Sequence, residues 1–138
     1  MRRDFGNTLS ILVVEDDRAT AELIRTVLND VQGWGATVVH DASAACEVFR
    51  HVRIEVLVVD VGLPGISGLE LLAMLRNDPH WQEPLVILTS ADADQQVVDD
   101  AVRQGPVTAF LRKPFNVEEL VQDIREAVLR AEVGGMGS

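Results

Sequence analysis

Five short apolar segments, separated by longer stretches in which apolar residues recur at helical spacing, constrain the fold of this chain more than any other feature. The segments are residues 11–14, 36–39, 56–59, 85–88 and 109–111. Most are continuously apolar and β-branched, which is typical of strands that are covered on both faces. The alternation of strand and helix predicts an α/β fold, a parallel sheet with right-handed crossovers and helices on both faces.

The stretches between the segments are predicted to form amphipathic helices, each with one apolar side. The predicted apolar sides are Leu23, Ile24, Val27 and Leu28; Leu69, Leu72 and Leu75; Val97, Val98, Ala101 and Val102; and Val117, Leu120, Val121, Ile124 and Val128. Asn116 is a predicted N-cap of the last helix. The fourth helix is predicted either to be capped by Asp92 or to begin slightly later. We expect a single domain over residues 9–131, with flexible termini at residues 1–8 and 132–138.

Composition narrows the classes of function. The chain of 138 residues carries a net charge of −10, which argues against direct nucleic-acid binding by this segment, because phosphate contacts require a positive surface. Its single cysteine, Cys46, excludes an internal disulfide and a cysteine-rich zinc site, and we expect it to pack as a small hydrophobe. No apolar run approaches the length of a membrane span and no signal peptide is evident, so a cytoplasmic location is the expectation.

Polar side chains follow four of the five predicted strands. Glu15, Asp16 and Asp17 follow the first, Asp60 the third, Thr89 and Ser90 the fourth, and Lys113 the fifth. In an open parallel sheet these ends form the crevice in which ligands bind. Any one of these residues alone reads as a helix cap or a solvated side chain, but crowded carboxylates need a cation nearby. Mg²⁺ typically uses one or two carboxylates with water and phosphate oxygens.

At these positions the sequence resembles the receiver, or response-regulator, family. The matching motifs are residues 11–17, 58–68, 87–91 and 110–115, in the family's order and at family-like spacing. The resemblance covers residues 9–131 and implies a flavodoxin-like, three-layer, doubly wound sheet of five strands in the order 2-1-3-4-5.

The resemblance also implies a role for each matching residue. Asp60 is the expected phospho-acceptor, and Thr89 and Lys113 the residues that contact the phosphoryl group. The expected Mg²⁺ ligands are Glu15, Asp16, Asp60 and the backbone carbonyl of Gly62. The Lys113–Pro114 bond is expected to be cis, and Asp17 to face the start of the first helix.

The expected activity is acceptance of a phosphoryl group from a sensor histidine kinase or phosphotransfer protein, and no other enzymatic reaction. Thr89 and Phe110 are the implied switch, through which the face of the fourth helix, fifth strand and fifth helix would signal to an effector. The alternative for Phe110 is a permanently buried core aromatic. The loop over residues 105–108 is one residue longer than the family's and contains Pro106, so we expect it to be irregular.

Three other functions compete with this interpretation. A binding module of the same fold that is never phosphorylated would lack the acceptor, the acidic pair or the lysine, and all of them are present. A metal-dependent phosphatase or hydrolase commonly needs a second aspartate two residues after the nucleophile, where Gly62 stands. A flavin or nucleotide binder is disfavoured because the sequence has no phosphate-cradling glycine-rich loop.

Overall fold

The computed structural model describes residues 8–91 and 95–134, which form one parallel sheet with helices on both sides. The strands are β1 Ser10–Val14, β2 Gly35–Val39, β3 Val56–Asp60, β4 Leu85–Ser90 and β5 Ala109–Arg112. The helices are α1 Arg18–Thr26, α2 Ala42–His51, α3 Gly68–Arg76, α4 Gln95–Gln104 and α5 Val117–Val133. A π-helical turn, Val27–Val31, continues α1.

The sheet confirms the predicted topology. Its order is β2-β1-β3-β4-β5, and every neighbouring pair is parallel. Successive residues of each strand point to opposite faces, which gives two separate cores. One contains Leu12 and Leu57 with residues of α2, α3 and α4, and the other contains Ile11 and Val58 with residues of α1 and α5. The chain is therefore the predicted doubly wound α/β sandwich of three layers.

Two residues predicted to lie on buried helical faces are exposed instead. Leu23 is 54% exposed and Val102 is 58% exposed, whereas their neighbours Ile24 and Ala101 are buried. Consecutive helical residues point about 100° apart, so at the margin of a buried face one member of an adjacent apolar pair can face solvent. Prediction from apolar spacing found each helix correctly and its buried edge only to within one residue.

The strand at the open edge also departs from expectation. Residues of β2 alternate between exposed and half-buried, whereas all residues of β3 are buried. Only β1 pairs with β2, so an apolar sequence there does not bring the full burial of a central strand. Cys46 is half-buried against the core that contains α2, as predicted.

The ends of α5 and of β5 match specific predictions. Asn116 caps α5 by accepting from the Glu119 amide at 2.9 Å, and the Glu119 side chain accepts in turn from the Asn116 amide.

The loop before β5 is irregular, as predicted, with Gly105 at φ +151°. The helix α5 continues to Val133, past the predicted domain end at residue 131. The predicted Asp92 cap and the terminal residues 1–7 and 135–138 lie outside the described residues.

Candidate functional site

The sheet topology brings the polar strand ends together. Glu15 directly follows β1, Asp60 is the last residue of β3, and Lys113 directly follows β5. Because β1, β3, β4 and β5 are consecutive parallel neighbours, their carboxyl ends lie on one edge. The two carboxylates are nearly inaccessible, with Glu15 2% and Asp60 4% exposed.

Lys113 joins these two carboxylates. Its ammonium Nζ lies 2.9 Å from Asp60 Oδ2, 2.9 Å from Glu15 Oε1 and 3.2 Å from Glu15 Oε2. The Lys113 amide donates to the Ser90 carbonyl at 2.8 Å, which ties this residue to the end of β4. The bond between Lys113 and Pro114 is cis, as expected. One cation therefore holds two buried anions that are far apart in the sequence.

The pKa values of Glu15 and Lys113 are both raised, for different reasons. Burial raises the pKa of Glu15, because the charged carboxylate is poorly solvated, and the hydrogen bonds from Lys113 and the Asp17 amide offset this only in part. Burial alone would lower the pKa of Lys113, but its hydrogen bonds and attraction to Glu15 and Asp60 raise it overall. The ammonium is therefore retained at neutral pH.

Three carboxylates converge in a way that suits a hard cation. One oxygen each from Glu15, Asp16 and Asp60 lies within 4.8 Å of the others, with Asp16 exposed at the mouth. Oxygen-only donor sets of this kind fit a divalent cation such as Mg²⁺. Asp17 points elsewhere and caps α1 by accepting from the Thr20 amide at 2.9 Å, as predicted.

Gly62 and Thr89 lie on either side of Asp60. The Gly62 amide donates to Asp60 Oδ1 at 3.0 Å, which orients the carboxylate. Thr89 is the Cα partner of Asp60 in the ladder between β3 and β4 and is buried. Ser90, next in β4, is buried as well. The Gly62 amide therefore contacts the carboxylate on which the ammonium converges, and Thr89 lies beside Asp60 on the neighbouring strand.

Phe110 lies farther from the cluster, in the centre of β5. It is half-buried, packs against the core formed with α2, α3 and α4, and pairs with Leu88 of β4. A side chain in this intermediate state is neither fully inserted nor fully exposed. The histidines do not add to the site: His51 and His80 are exposed, and His40 Nδ1 lies 3.1 Å from the Glu15 carbonyl.

Two features of the site were missed at the level of the sequence. One is the contact between Lys113 and Glu15. Glu15 was predicted only as a metal ligand. The other is Gly68, the first residue of α3, where an added Cβ would lie 2.2 Å from the Asp60 carbonyl oxygen. The sequence offered one signal of this close contact, a glycine at the start of a helix. Glycine loses more conformational entropy there than other residues do, so its presence indicates a steric requirement.

A cavity of about 400 Å³ opens beside Lys113. Its lining combines Asp17 and Thr20 of the first loop and helix with Ala91 after β4 and Pro114 and Phe115 after β5. The small side chain of Ala91 leaves this approach to the site wide. The cavity therefore opens Lys113, on one side of the cluster, to solvent.

Comparison with known proteins identifies the family of this chain. A family model described as the response regulator receiver domain matches residues 11–125. The probable transcriptional regulatory protein TcrX of Mycobacterium tuberculosis is 35% identical over 133 residues, which cover 96% of this chain and 55% of that protein. The DNA-binding response regulator MtrA of Mycolicibacterium smegmatis is 34% identical over 122 residues, which cover 88% of this chain and 51% of that protein. This chain thus spans about half the length of these relatives.

Solved structures share the fold. The CheY-like receiver domain protein of Methanospirillum hungatei superposes with a TM-score of 0.84 at 22% identity, covering 94% of this chain and 100% of that one. The chemotaxis response regulator CheY4 of Vibrio cholerae gives a TM-score of 0.79 at 21% identity, covering 88% and 99%. With the family model matched over residues 11–125, this chain belongs to the receiver domains of two-component response regulators.

Proposed function

We propose that Asp60 is the phospho-acceptor of this receiver domain and takes its phosphoryl group from a phosphohistidine on a sensor histidine kinase or phosphotransfer protein. The observation that carries the proposal is the convergence of Lys113 Nζ, at 2.9 Å, and the Gly62 amide, at 3.0 Å, on one buried carboxylate. The donor imidazole is proposed to approach through the cavity of about 400 Å³ beside Lys113.

Mg²⁺ is the proposed cofactor, with Glu15, Asp16, Asp60 and the Gly62 carbonyl as its ligands. The clustering of the three carboxylates within 4.8 Å supports this assignment, as does their hard-oxygen chemistry. When bound, the ion supplies positive charge to the phosphoryl oxygens.

The residues of the chain perform the transfer by position and charge. A carboxylate oxygen of Asp60 forms the new oxygen–phosphorus bond as the phosphorus–nitrogen bond to the donor imidazole breaks. The imidazole leaves with the bonding electrons and takes up a proton from solvent. Lys113 donates hydrogen bonds to the transferred group and offsets its charge, and the Thr89 hydroxyl donates to another phosphoryl oxygen. Receiver domains are signalling modules rather than classical enzymes, so phosphorylation of Asp60 and its reversal are the only chemistry proposed.

The proposed output is a population shift of the switch residues Thr89 and Phe110. Movement of Thr89 toward the phosphoryl group frees space beside β4, and the half-buried Phe110 has room to turn into it. The face of α4, β5 and α5 would change with it and alter its affinity for an effector domain or protein. A permanently buried aromatic remains the alternative for Phe110.

The proposed partners and location are argued from the net charge of this chain and from the proteins it resembles. The net charge of −10 opposes direct contact of this segment with nucleic acid, although MtrA is named as DNA-binding. We therefore assign DNA recognition, where there is any, to an effector outside this segment. No helix within the described residues has the length and apolar character of a membrane span. The proposed location is the cytoplasm, where a kinase would deliver the phosphoryl group.

Incubation with acetyl phosphate and Mg²⁺, followed by intact-mass measurement, tests the proposal. We expect the wild-type protein to gain one phosphoryl group, and the gain to vanish on addition of EDTA. Asp60→Ala should gain none, whereas Asp30→Ala, which removes an exposed carboxylate elsewhere, should behave as wild type. Equal labelling of the Asp60→Ala and wild-type proteins would refute the assignment, and no labelling of either would favour an unphosphorylated binding module.

A further inference from the structure

A single arginine connects α3 to the loop that leads into β5. Arg76, the last residue of α3, donates a hydrogen bond from Nη2 to the carbonyl of Pro106. The loop of residues 105–108 enters the amino end of β5, so this contact lies at the edge of the sheet opposite Asp60. Pro106 has no amide hydrogen of its own, which leaves its carbonyl as the hydrogen-bonding group it presents there.

The guanidinium of Arg76 is enclosed on two sides. It lies 5.8 Å from the ring centre of Trp81, and an added Cβ on Gly105 would lie 2.9 Å from Nη1 and 3.0 Å from Cζ. Trp81 in turn packs against Phe49 with ring centres 5.9 Å apart. Because Gly105 has φ +151° and no room for a side chain, glycine is required for the arginine to lie there.

This enclosure is not the most stable arrangement for an arginine. Within residues 8–91 and 95–134, Nη1 is buried without a hydrogen-bond partner, and burial lowers the pKa of the group. A buried donor without an acceptor opposes folding. If the only role of this contact were to fasten the loop, an apolar side chain would serve better than arginine. If the contact opens and closes, a guanidinium is tolerated, because water can hydrogen-bond to its N–H groups in the open state.

Hydrogen bonds join this loop to β4 two residues before the proposed switch residue Phe110. The Thr108 amide donates to the Val86 carbonyl at 2.7 Å, and the Val86 amide donates to the Thr108 hydroxyl at 3.3 Å. Phe110 follows two residues later in β5. Displacement of Phe110 along or across β5 therefore pulls on Thr108 and on the Pro106 carbonyl.

We propose that Arg76 is a positioning residue that latches the 105–108 loop and holds β5 in its resting arrangement. Phosphorylation of Asp60 releases this latch, so removal of the latch favours the phosphorylated arrangement. The inference rests on the proposed function of Asp60 and Phe110. It adds a regulatory contact at the opposite edge of the sheet, formed by the longer, proline-containing loop of this chain.

The test compares wild type with Arg76→Met for binding of beryllofluoride in the presence of Mg²⁺. Trp81 reports on the latch by fluorescence in a Trp34→Phe background, because these are the two tryptophans of the chain. We expect Arg76→Met to bind beryllofluoride about fivefold more tightly or better, since the cost of opening the latch is removed. In the protein that keeps Arg76, binding should change Trp81 fluorescence.

Arg103→Met is the matched control, because it removes one exposed arginine of α4 and changes the net charge equally. Affinity unchanged or weakened in Arg76→Met, relative to this control, would overturn the latch. Arg76→Gln serves as the second variant if the methionine protein does not fold.

Amide hydrogen exchange separates this inference from the proposed function. In the unliganded protein we expect Arg76→Met to accelerate exchange at Thr108 and its neighbours while leaving α1 and α5 unchanged. If wild type binds no beryllofluoride, the function of Asp60 fails and the latch is judged by exchange alone. Unaltered exchange in the loop would refute it.

Discussion

At the scale of single residues, the site is organised by the ammonium of Lys113. It makes contacts of 2.9 Å to both Asp60 and Glu15, and these two carboxylates would otherwise be buried side by side. Burial raises the pKa of Glu15, which shows that its charged form is held at a cost. A divalent cation that enters this cluster would share Glu15 with Lys113 and leave the ammonium freer to serve an arriving phosphoryl group.

The lifetime of the phosphorylated state is predicted from two small residues. Gly62 has no side chain and Ala91 only a methyl, so neither orients a water for attack on the phosphoryl group. An added Cβ at Gly62 would lie 3.7 Å from Asp60 Oδ1, an ordinary contact, so a longer side chain fits. We expect Gly62→Asn with Ala91→Glu to shorten the lifetime by about tenfold, since a positioned polar group assists proton transfer.

This lifetime is measured by phosphate release after removal of acetyl phosphate. Gly62→Ala with Ala91→Val, which adds bulk without polarity, is the matched control. If the polar pair and the apolar pair give equal lifetimes, hydrolysis is limited by something other than water positioning.

The sequence predicted these residues unequally well. Asp60, Thr89 and Lys113 follow apolar strands, and the rule for strand ends in parallel sheets is enough to gather them. The contact of Lys113 with Glu15 and the close approach of Gly68 to Asp60 depend on how side chains and backbones meet in space. Neither spacing nor residue type encodes such distances.

At the scale of elements, α5 is the helix most completely specified by the sequence. Its apolar period, the cap at Asn116 and the reciprocal bond of Glu119 all agree. By contrast, α1 gives way to a π-helical turn at Val27. An extra residue in a helical turn rotates the residues after it about the helix axis, which a constant period of 3.6 residues does not anticipate.

Loss of the α5 cap is predicted to destabilise the protein without altering the site. Asn116→Ala removes the acceptor of the Glu119 amide, and we expect the free energy of unfolding to fall by about 1 kcal/mol. Urea unfolding followed by circular dichroism measures this. Asn116→Asp should retain most of the stability, because a carboxylate accepts the same bond. A loss equal to that of alanine would contradict the role of the cap.

At the scale of the whole molecule, the order of the strands assembles the site. The chain carries a net charge of −10, and three carboxylates are concentrated at one edge of the sheet. Relief of this local repulsion links cation binding to the stability of the entire fold. The chain spans about half of its relatives, so this linkage concerns the receiver unit itself.

Magnesium is therefore predicted to raise the melting temperature. At a hundredfold excess over Kd, binding to the folded state adds about 2.7 kcal/mol, which corresponds to a rise of about 5–10 °C. Calorimetry at constant ionic strength, with NaCl replacing MgCl₂, separates binding from screening of the net charge. Asp16→Asn should lose most of the increase. An equal increase in that variant would show that Mg²⁺ acts only as a general counterion.

The close packing of Gly68 against Asp60 determines which parts of the molecule can rearrange when Asp60 reacts. The amino end of α3 touches the backbone of Asp60 so closely that a methyl group would not fit, and the Gly68 amide donates to the Val61 carbonyl at 2.9 Å. This backbone contact holds the amino end of α3 against the carboxyl end of β3. Rearrangement that follows chemistry at Asp60 is therefore accommodated more readily by side chains of β4 and β5, such as Thr89 and Phe110, than by the start of α3.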